Sequence, residues 1–137
     1  MIYMMIYFYS TGHEIAVHTR SHRFPISYWK TAPYTDLIKE IVEVKELMES
    51  KGIKNVVGYR NPFLQTAGDT LFTLLKDYNF KYDSSLPTAP HAYWWPYTFD
   101  HAIPYCSTEP CPKSKFVGSL LVSCYSFISS QKTNQCV

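Results

Sequence analysis

The sequence predicts an α/β domain built on a parallel sheet. From Thr11 to Phe80, short apolar runs alternate with amphipathic stretches in the order strand, helix, strand, helix, strand. Parallel strands need crossover connections, and in this order each helix forms a right-handed crossover between two strands. A chain of 137 residues fits one domain, and 46% hydrophobic with 18% charged residues excludes disordered, collagen-like and coiled-coil proteins.

Separate signals mark the first strand and the first helix. His13–Val17 follows Gly12 and contains β-branched residues, which predicts a short strand. The helix is predicted to begin at Thr35, whose hydroxyl can cap the first amide groups, and to close at Lys51 and Gly52 with a cation and a glycine. Its apolar face consists of Leu37, Ile41, Val44 and Met48.

The second half of the pattern repeats this arrangement. Ile53–Tyr59 is the second predicted strand, and Asp69 is predicted to cap a shorter helix. Asn79 can adopt the left-handed conformation that ends this helix, and Phe80–Tyr82 is the third strand. Three strands cannot close a barrel, so either the family fold is larger than this chain or the sheet is small and open. The apolar positions of this second helix are Leu71, Phe72, Leu74, Leu75 and Tyr78.

Composition limits the partners and the compartment. A net charge of +2 and a pI near 8.3 are too weak for a nucleic-acid partner, and no apolar run reaches the roughly 18 residues that span a bilayer. Met1–Tyr9 is apolar but is a poor signal peptide, so we expect a buried strand or helix there. The 17% aromatic content suits sugar ligands or an aromatic core. The cysteines, which predict disulfides and an extracellular setting, all lie in the last third: Cys106, Cys111, Cys124 and Cys136.

Three polar clusters each follow a predicted strand. They are His18–His22, Arg60–Phe63 and Asp83–Ser85. The carboxyl ends of parallel strands gather at one edge of a sheet, where ligands and catalytic groups collect. We therefore expect the three clusters to lie around a common pocket.

Each cluster has a functional and an ordinary interpretation. His18 and His22 are four residues apart, so a helical turn would place both imidazoles on one face as metal ligands, although a surface pair is the more frequent outcome for this spacing alone. Arg60 would hold a carboxylate by a bidentate pair or be a solvated surface arginine. Asp83 would orient a histidine or cap the turn that follows it.

Four motifs, GHEIAVHTRSH, GYRNPFLQTAGD, FKYDSS and WPYTFD followed by PYC and PCPKS, resemble the polysaccharide deacetylases of the NodB-like carbohydrate esterase family. They are most similar to the secreted chitin deacetylases of arthropods and related animals. The resemblance covers residues 12–118, a partial catalytic domain, and leaves 1–11 and 119–137 as atypical terminal segments. It implies a partial, distorted (β/α) barrel that removes acetyl groups from N-acetylglucosamine residues of chitin or a related glycan.

The resemblance also implies a metal centre. In the family a divalent metal, usually zinc, is held by an aspartate and two histidines that match His18 and His22, and Thr19 matches the small hydroxyl residue between them. Such a metal polarises the acetyl carbonyl and lowers the pKa of its bound water.

Other roles follow from the same resemblance. The arginine matching Arg60 pairs with the catalytic base, and the backbone N–H at Phe63 helps to hold the oxyanion. The aspartate matching Asp83 supports a distal histidine that acts as general acid. Trp95 is a candidate wall of the sugar groove, and ordinary core packing is the alternative for both Trp94 and Trp95.

The sequence departs from the family at both ends. The aspartate pair that supplies the base and the third metal ligand should precede Gly12, but no acidic residue does, and no histidine follows Gly118. We interpret His91 and His101 as loop residues. We therefore interpret the chain as truncated. A general acid and a general base each increase the rate by about 10²–10⁴-fold, so we expect impaired turnover without them. The alternatives are a catalytically inactive chitin-binding or matrix-organising protein, and a fragment that does not fold alone.

Overall fold

The fold is a mixed α/β arrangement in which short strands form one sheet. The computed structural model of the chain describes residues 2–87, 94–101, 106, 108–113 and 121–122. The described strands pair in the order β1-β2-β4-β3; β1 pairs parallel with β2, β2 parallel with β4, and β3 antiparallel with β4. The α/β class is confirmed, and the barrel stays a prediction. The strands are β1 Gly58–Tyr59, β2 Tyr82–Asp83, β3 Tyr97–Thr98 and β4 Leu121–Val122.

Helices cover much of the first eighty residues. A 3₁₀ turn at Pro62–Leu64 follows β1, and a π-helical segment at Ile38–Val42 joins two α-helices into one long helix. The α-helices are α1 Ile2–Ser10, α2 Ser27–Thr31, α3 Tyr34–Leu37, α4 Glu43–Ser50 and α5 Asp69–Asp77.

The apolar face of the long helix is confirmed, while its predicted start is wrong. Its Leu37, Ile41 and Met48 side chains are buried, and Val44 is half-buried. The helix begins at Tyr34 after Pro33, so Thr35 already lies inside the first turn and does not cap it. The predicted end is confirmed, because Gly52 has a φ of 91° and the chain leaves the helix there.

The second predicted helix, α5, lies where the sequence places it. Leu71, Phe72, Leu74 and Leu75 are buried, and Asn79 has the predicted left-handed φ of 58°. Asp69 was expected to cap the helix, and this is wrong because it is the first helical residue after Gly68. Its carboxylate instead accepts a hydrogen bond of 2.7 Å from the backbone N–H of Lys113.

The predicted strands are correct in direction but too long. Ile53–Tyr59 is strand only at its last two residues, because Asn55 has a φ of 60°, which breaks an extended conformation. His13–Val17 contributes a single parallel bridge from Val17 to Tyr59, since most of this segment is exposed and unpaired in the sheet. The third strand lies one to two residues later than predicted, at β2.

The core lies where the long helix and α5 pack with the sheet. The largest fully buried side chains are those of Trp29, Tyr59, Phe72, Phe80, Phe99, Leu37, Ile41, Ile53, Leu71, Leu74 and Leu75. An edge-to-face contact between the rings of Phe72 and Phe99, whose centroids are 4.7 Å apart, joins α5 to the turn after β3.

The N-terminal apolar run forms α1, and its predicted burial is wrong. No residue of α1 is fully buried; one face rests half-buried on the core and the other, with Tyr3, Met4 and Tyr7, is exposed. Within the described parts of the chain, no helix combines the length and the apolar character needed to cross a bilayer.

Candidate functional site

The segment His18–His22, called the histidine loop below, is held at the end of β1 by backbone hydrogen bonds. The Val17 N–H donates to the Gly58 carbonyl at 2.9 Å, and the Arg60 N–H donates to the Val17 carbonyl at 3.0 Å. This ladder sets His18 directly beside Arg60. The His18 Nδ1 then lies 2.9 Å from the Arg60 carbonyl oxygen. Because a carbonyl only accepts, Nδ1 carries the proton and the Nε2 lone pair of a neutral ring is left available.

His18 and His22 come together, but not on a helical turn. Their ring centroids are 5.1 Å apart at an interplanar angle of 60°, and both side chains are exposed. The predicted helical turn is wrong, because Thr19 and His22 have φ angles of 63° and 47°. Left-handed conformations at such residues cost about 1–3 kcal/mol each and persist only where the surroundings enforce them. The loop therefore doubles back and brings the two rings together.

Glu40, in the π-helical segment, is the group that holds this loop. Its Oε2 accepts hydrogen bonds from the backbone N–H groups of Arg20 at 3.0 Å and Ser21 at 2.9 Å, and its Oε1 accepts one from the Ser21 hydroxyl at 2.7 Å. The Glu40 side chain is buried, whereas the neighbouring Glu43 pairs at the surface with the Arg20 guanidinium at 3.0 Å.

The sequence reasoning missed Glu40, although a signal was present. Glu40 lies one turn after Leu37 and beside Ile41, within the apolar face that packs into the core. A glutamate is almost never fully buried unless it is paired. An acidic residue on an apolar helix face therefore indicates a specific polar partner elsewhere in the chain.

Thr19 presents a polar atom that nothing satisfies. Its Oγ1 is buried and has no hydrogen-bond partner in the structure. Such groups are uncommon in folded proteins, and each one calls for an explanation, an unseen ion or water among them. This orphan hydroxyl lies next to His18 on the loop that carries both imidazoles.

Arg60 connects the histidine loop to the end of β2. Its guanidinium donates to the Ser84 hydroxyl from Nε at 3.1 Å and from Nη2 at 2.5 Å. Ser84 is itself held to β1, because its N–H donates to the Tyr59 carbonyl at 2.9 Å. The first cluster and the third are thus joined through one arginine.

Asp83 is a fully buried carboxylate behind Ser84. Burial raises its pKa to about 6, while the donors of Ser85 and the charge of Arg60 oppose the rise. The Ser85 hydroxyl lies 2.5 Å from Oδ1, and the Ser85 N–H lies 2.9 Å from Oδ2. The predicted role of Asp83 toward a general-acid histidine stays a prediction.

The histidine loop and the chain segments after β1 and β2 form one edge of the sheet, called the rim below. A buried polar network lies beneath this rim. The Asn61 N–H donates to the Ser85 hydroxyl at 2.8 Å, the Tyr59 hydroxyl donates to the Asn61 side-chain oxygen, and the Asn61 amide donates to the Gln65 carbonyl. Burial raises the pKa of Tyr59 well above its ordinary value, with the charges of Asp83 and Glu40 adding to the rise. The phenol therefore stays a neutral donor.

Phe63 lies beside His22. Its ring centroid is 4.7 Å from that of His22 and 4.8 Å from that of Phe24, which is 70% exposed. Phe63 has a φ of 56°, a conformation uncommon for a bulky residue. Two aromatic rings, those of Phe63 and the exposed Phe24, thus lie next to His22.

The groups of this site that could bind a metal are the imidazoles of His18 and His22. In the part of the chain that the structure describes, no group of three or more His, Cys, Asp or Glu side chains is placed to hold a metal ion. The exposed histidine pair and the unpartnered Thr19 hydroxyl are chemically compatible with a divalent metal held by two protein ligands. Imidazole nitrogen is a ligand that zinc accepts readily.

Comparison with known proteins identifies the relatives of the chain. It is 38% identical over 116 residues to chitin deacetylase 8 of Bombyx mori and 34% identical over 109 residues to chitin deacetylase 1 of the same organism. The chain is thus similar in sequence to chitin deacetylases. The predicted resemblance is confirmed. No family model matches the chain.

The match to the chitin deacetylases covers most of this chain but little of theirs. It includes 80% and 74% of the present chain, which spans only 30% and 20% of the two relatives.

The chitin deacetylase resemblance also assigned residues outside this rim. Trp95 is 88% exposed and precedes β3, at the opposite edge of the sheet from the Val17 bridge. Core packing is therefore wrong for Trp95, whereas Trp94 is half-buried with its ring 6.0 Å from Tyr97. The structure brings His18, His22, Phe63, Arg60 and Asp83 to one rim and leaves Trp95 at the other edge. His101 lies in a loop as predicted, and His91 falls outside the described residues.

The predicted use of disulfides is confirmed within the described residues. Cys106 and Cys111 form a disulfide. The bridged loop lies on the segment before α5, because the Thr66 hydroxyl donates to the Pro110 carbonyl at 3.1 Å and the Gln65 amide donates to the Glu109 carbonyl at 2.7 Å. Cys124 and Cys136 lie outside the described residues.

Proposed function

We propose that this chain carries part of the catalytic site of a metal-dependent hydrolase that removes N-acetyl groups from chitin or a related N-acetylglucosamine polymer. The observation that carries this proposal is the adjacent His18 and His22 pair, joined through Arg60 to the rim that holds Asp83. Homology to chitin deacetylases supports the substrate class. The compartment that we propose is extracellular, and the Cys106–Cys111 disulfide supports it.

His18 and His22 would hold the metal, for which zinc is the proposed identity. The carbonyl of Arg60 supports this assignment, because metal-binding imidazoles usually donate their other ring N–H to such an oxygen. The bound metal would polarise the acetyl carbonyl and lower the pKa of a bound water.

The surrounding residues would position substrate and charge. The backbone N–H of Phe63 is the proposed oxyanion donor; its left-handed conformation beside His22 supports a role, since strained backbone gathers at functional sites. Arg60 would stabilise negative charge at the rim, and Asp83 would orient the acid. Trp95 is proposed to bind the polymer beyond the reacting sugar, which its exposure supports.

We propose that turnover by this chain is weak. Among the residues that the structure describes, no carboxylate completes a metal site with the two histidines. In the chitin deacetylase resemblance the catalytic base is a second carboxylate beside that metal ligand. A general base contributes about 10²–10⁴-fold, so a site without it would retain little catalysis.

An acetate-release assay tests the proposal. The 137-residue chain is incubated with N-acetylated chitooligosaccharides and Zn²⁺. We expect slow acetate release that a chelator abolishes and that His18→Ala and His22→Ala each remove. His13→Ala is the matched control, because His13 is an exposed histidine whose ring makes an edge-to-face contact with Phe8 and not with the pair. Release unaffected by the chelator and by both variants would contradict the metal site. Turnover like that of a full-length enzyme would contradict the impairment.

The alternative is a catalytically inactive chitin-binding protein, and the exposure of Trp95 favours it. In that case the chain binds chitin in the presence of chelator, releases no acetate, and loses binding in Trp95→Ala but not in His18→Ala. Chitin binding that depends on both histidines and on Zn²⁺ would instead support the hydrolase.

A further inference from the structure

The buried carboxylate of Glu40 fixes the peptide segment between the two histidines. Only 5% of Glu40 is exposed, and three donors converge on it from the loop: two backbone N–H groups and the hydroxyl of Ser21. None of these contacts involves an imidazole. Glu40 therefore acts on the backbone that connects the rings rather than on the rings themselves.

The loop needs such an anchor because its backbone is strained on both sides of the contact. Thr19 and His22, on either side of Arg20 and Ser21, have φ angles of 63° and 47°. A β-branched residue with positive φ is a genuine outlier, so packing must enforce it. The hydrogen bonds to Glu40 hold the two residues between these outliers, where they prevent the loop from relaxing.

The place of Glu40 in the long helix gives an independent reason to expect a role. It is the middle residue of the π-helical segment Ile38–Val42, with regular α-helix on both sides. Single π-turns inside α-helices occur frequently at functional sites. This turn directs a carboxylate from the core-facing side of the helix toward the loop.

We propose that Glu40 is a positioning residue for metal binding by His18 and His22, a proposal that rests on the proposed function. Glu40 holds the loop in the conformation that keeps both imidazoles at one place. A glutamine of the same size offers one neutral acceptor oxygen where the carboxylate offers two charged ones, so it cannot accept from both the backbone N–H groups and the Ser21 hydroxyl as Glu40 does. The substitution thus weakens the anchor while it preserves side-chain volume.

Zinc titration of the full chain by calorimetry tests the positioning role. Groups that orient metal ligands typically change metal affinity about 10- to 100-fold when substituted. We expect Glu40→Gln to raise the Kd for Zn²⁺ by about that factor, and Ser21→Ala, which removes one of the three hydrogen bonds, to raise it less. Glu43→Gln is the matched control: it breaks the surface pair with Arg20 and leaves the loop backbone held, so its Kd should stay within about twofold of the unaltered chain.

Circular dichroism of each variant without zinc separates positioning from folding. A folded Glu40→Gln chain that binds zinc as tightly as the unaltered chain would overturn the proposal and leave the hydrolase assignment standing. If Glu40→Gln does not fold, Ser21→Ala decides, and an unchanged Kd there overturns the proposal. Weaker zinc binding in a chain that releases no acetate supports positioning and contradicts the proposed activity. Acetate release by an unaltered chain that binds no zinc would overturn the positioning role and the metal site, and would leave only the hydrolase assignment.

Discussion

Replacing Asp83 with asparagine should change how the stability of the protein depends on pH. The carboxyl of Asp83 is fully buried, and its pKa rises from 3.8 in the unfolded chain to about 6 in the folded protein. The folded state therefore binds the proton more tightly than the unfolded state. This contribution to stability is fully present below the unfolded pKa, and it is lost as the pH rises through the folded pKa.

The size of the effect follows from the size of the shift. A rise of roughly two pKa units corresponds to about 3 kcal/mol of unfolding free energy, most of which is lost between about pH 4 and pH 7. Asp83→Asn removes the titration. We therefore expect the asparagine variant to gain stability relative to the unaltered protein by about 2–3 kcal/mol as the pH rises across that range.

Urea unfolding at about pH 4 and at about pH 7, followed by circular dichroism, measures this difference. Comparing the two proteins at each pH cancels the titration of the groups that they share. Glu46→Gln serves as the control, because it neutralises an exposed carboxylate on α4. Ser85→Ala should increase the effect, since the Ser85 hydroxyl lowers the pKa of Asp83. A gap between Asp83→Asn and the unaltered protein that is equal at both pH values would refute the reasoning that burial dominates at this carboxyl.

Three further predictions follow from the packing. Phe72→Ala should lower the unfolding free energy by about 3–5 kcal/mol in urea denaturation, because Phe72 is fully buried. The control Thr73→Ala, at the exposed neighbouring position, should change it by no more than about 0.5 kcal/mol. Equal effects would contradict the orientation of α5. Tyr34 has a pKa raised to about 12 by its hydrogen bond to an aspartate of α5, so Tyr34→Phe should remove a late step from the absorbance titration of the tyrosines. Gly58→Ala should lower the melting temperature, because a Cβ there overlaps the ring of Tyr82; an unchanged melting temperature would show that the ring moves aside freely.

The helices were predictable because their signal is contained in their own sequence. The helical spacing of Leu37, Ile41 and Met48 determines which side of the helix is apolar, and burial of that side follows. The strand bounds were not predictable in this way. Strand length depends on how far the neighbouring backbone runs alongside, and a single left-handed residue, Asn55, excludes half of the predicted Ile53–Tyr59 strand.

The gathering of the site was predictable from topology, but its internal geometry was not. The rule that parallel strands end at one edge places His18, Arg60 and Asp83 near one another without any knowledge of side chains. How His18 and His22 meet depends on left-handed backbone angles at Thr19 and His22, which are stabilised by contacts from a distant helix. The local pattern around Glu40 indicates that this carboxylate needs a polar partner, but it does not identify Arg20 and Ser21 as that partner.

Arg60 is the residue through which the two halves of the rim are joined, and it joins them by different groups. Its backbone N–H and carbonyl hold Val17 and His18, while its guanidinium holds Ser84. A substitution such as Arg60→Ala removes the side-chain contacts, that with Ser84 among them, and keeps the backbone contacts, since every residue but proline has the same N–H and carbonyl groups. Loss of acetate release in this variant with unchanged zinc affinity would therefore assign the arginine to the Asp83 side of the site. Loss of both would mean that the side chain also supports the histidine loop.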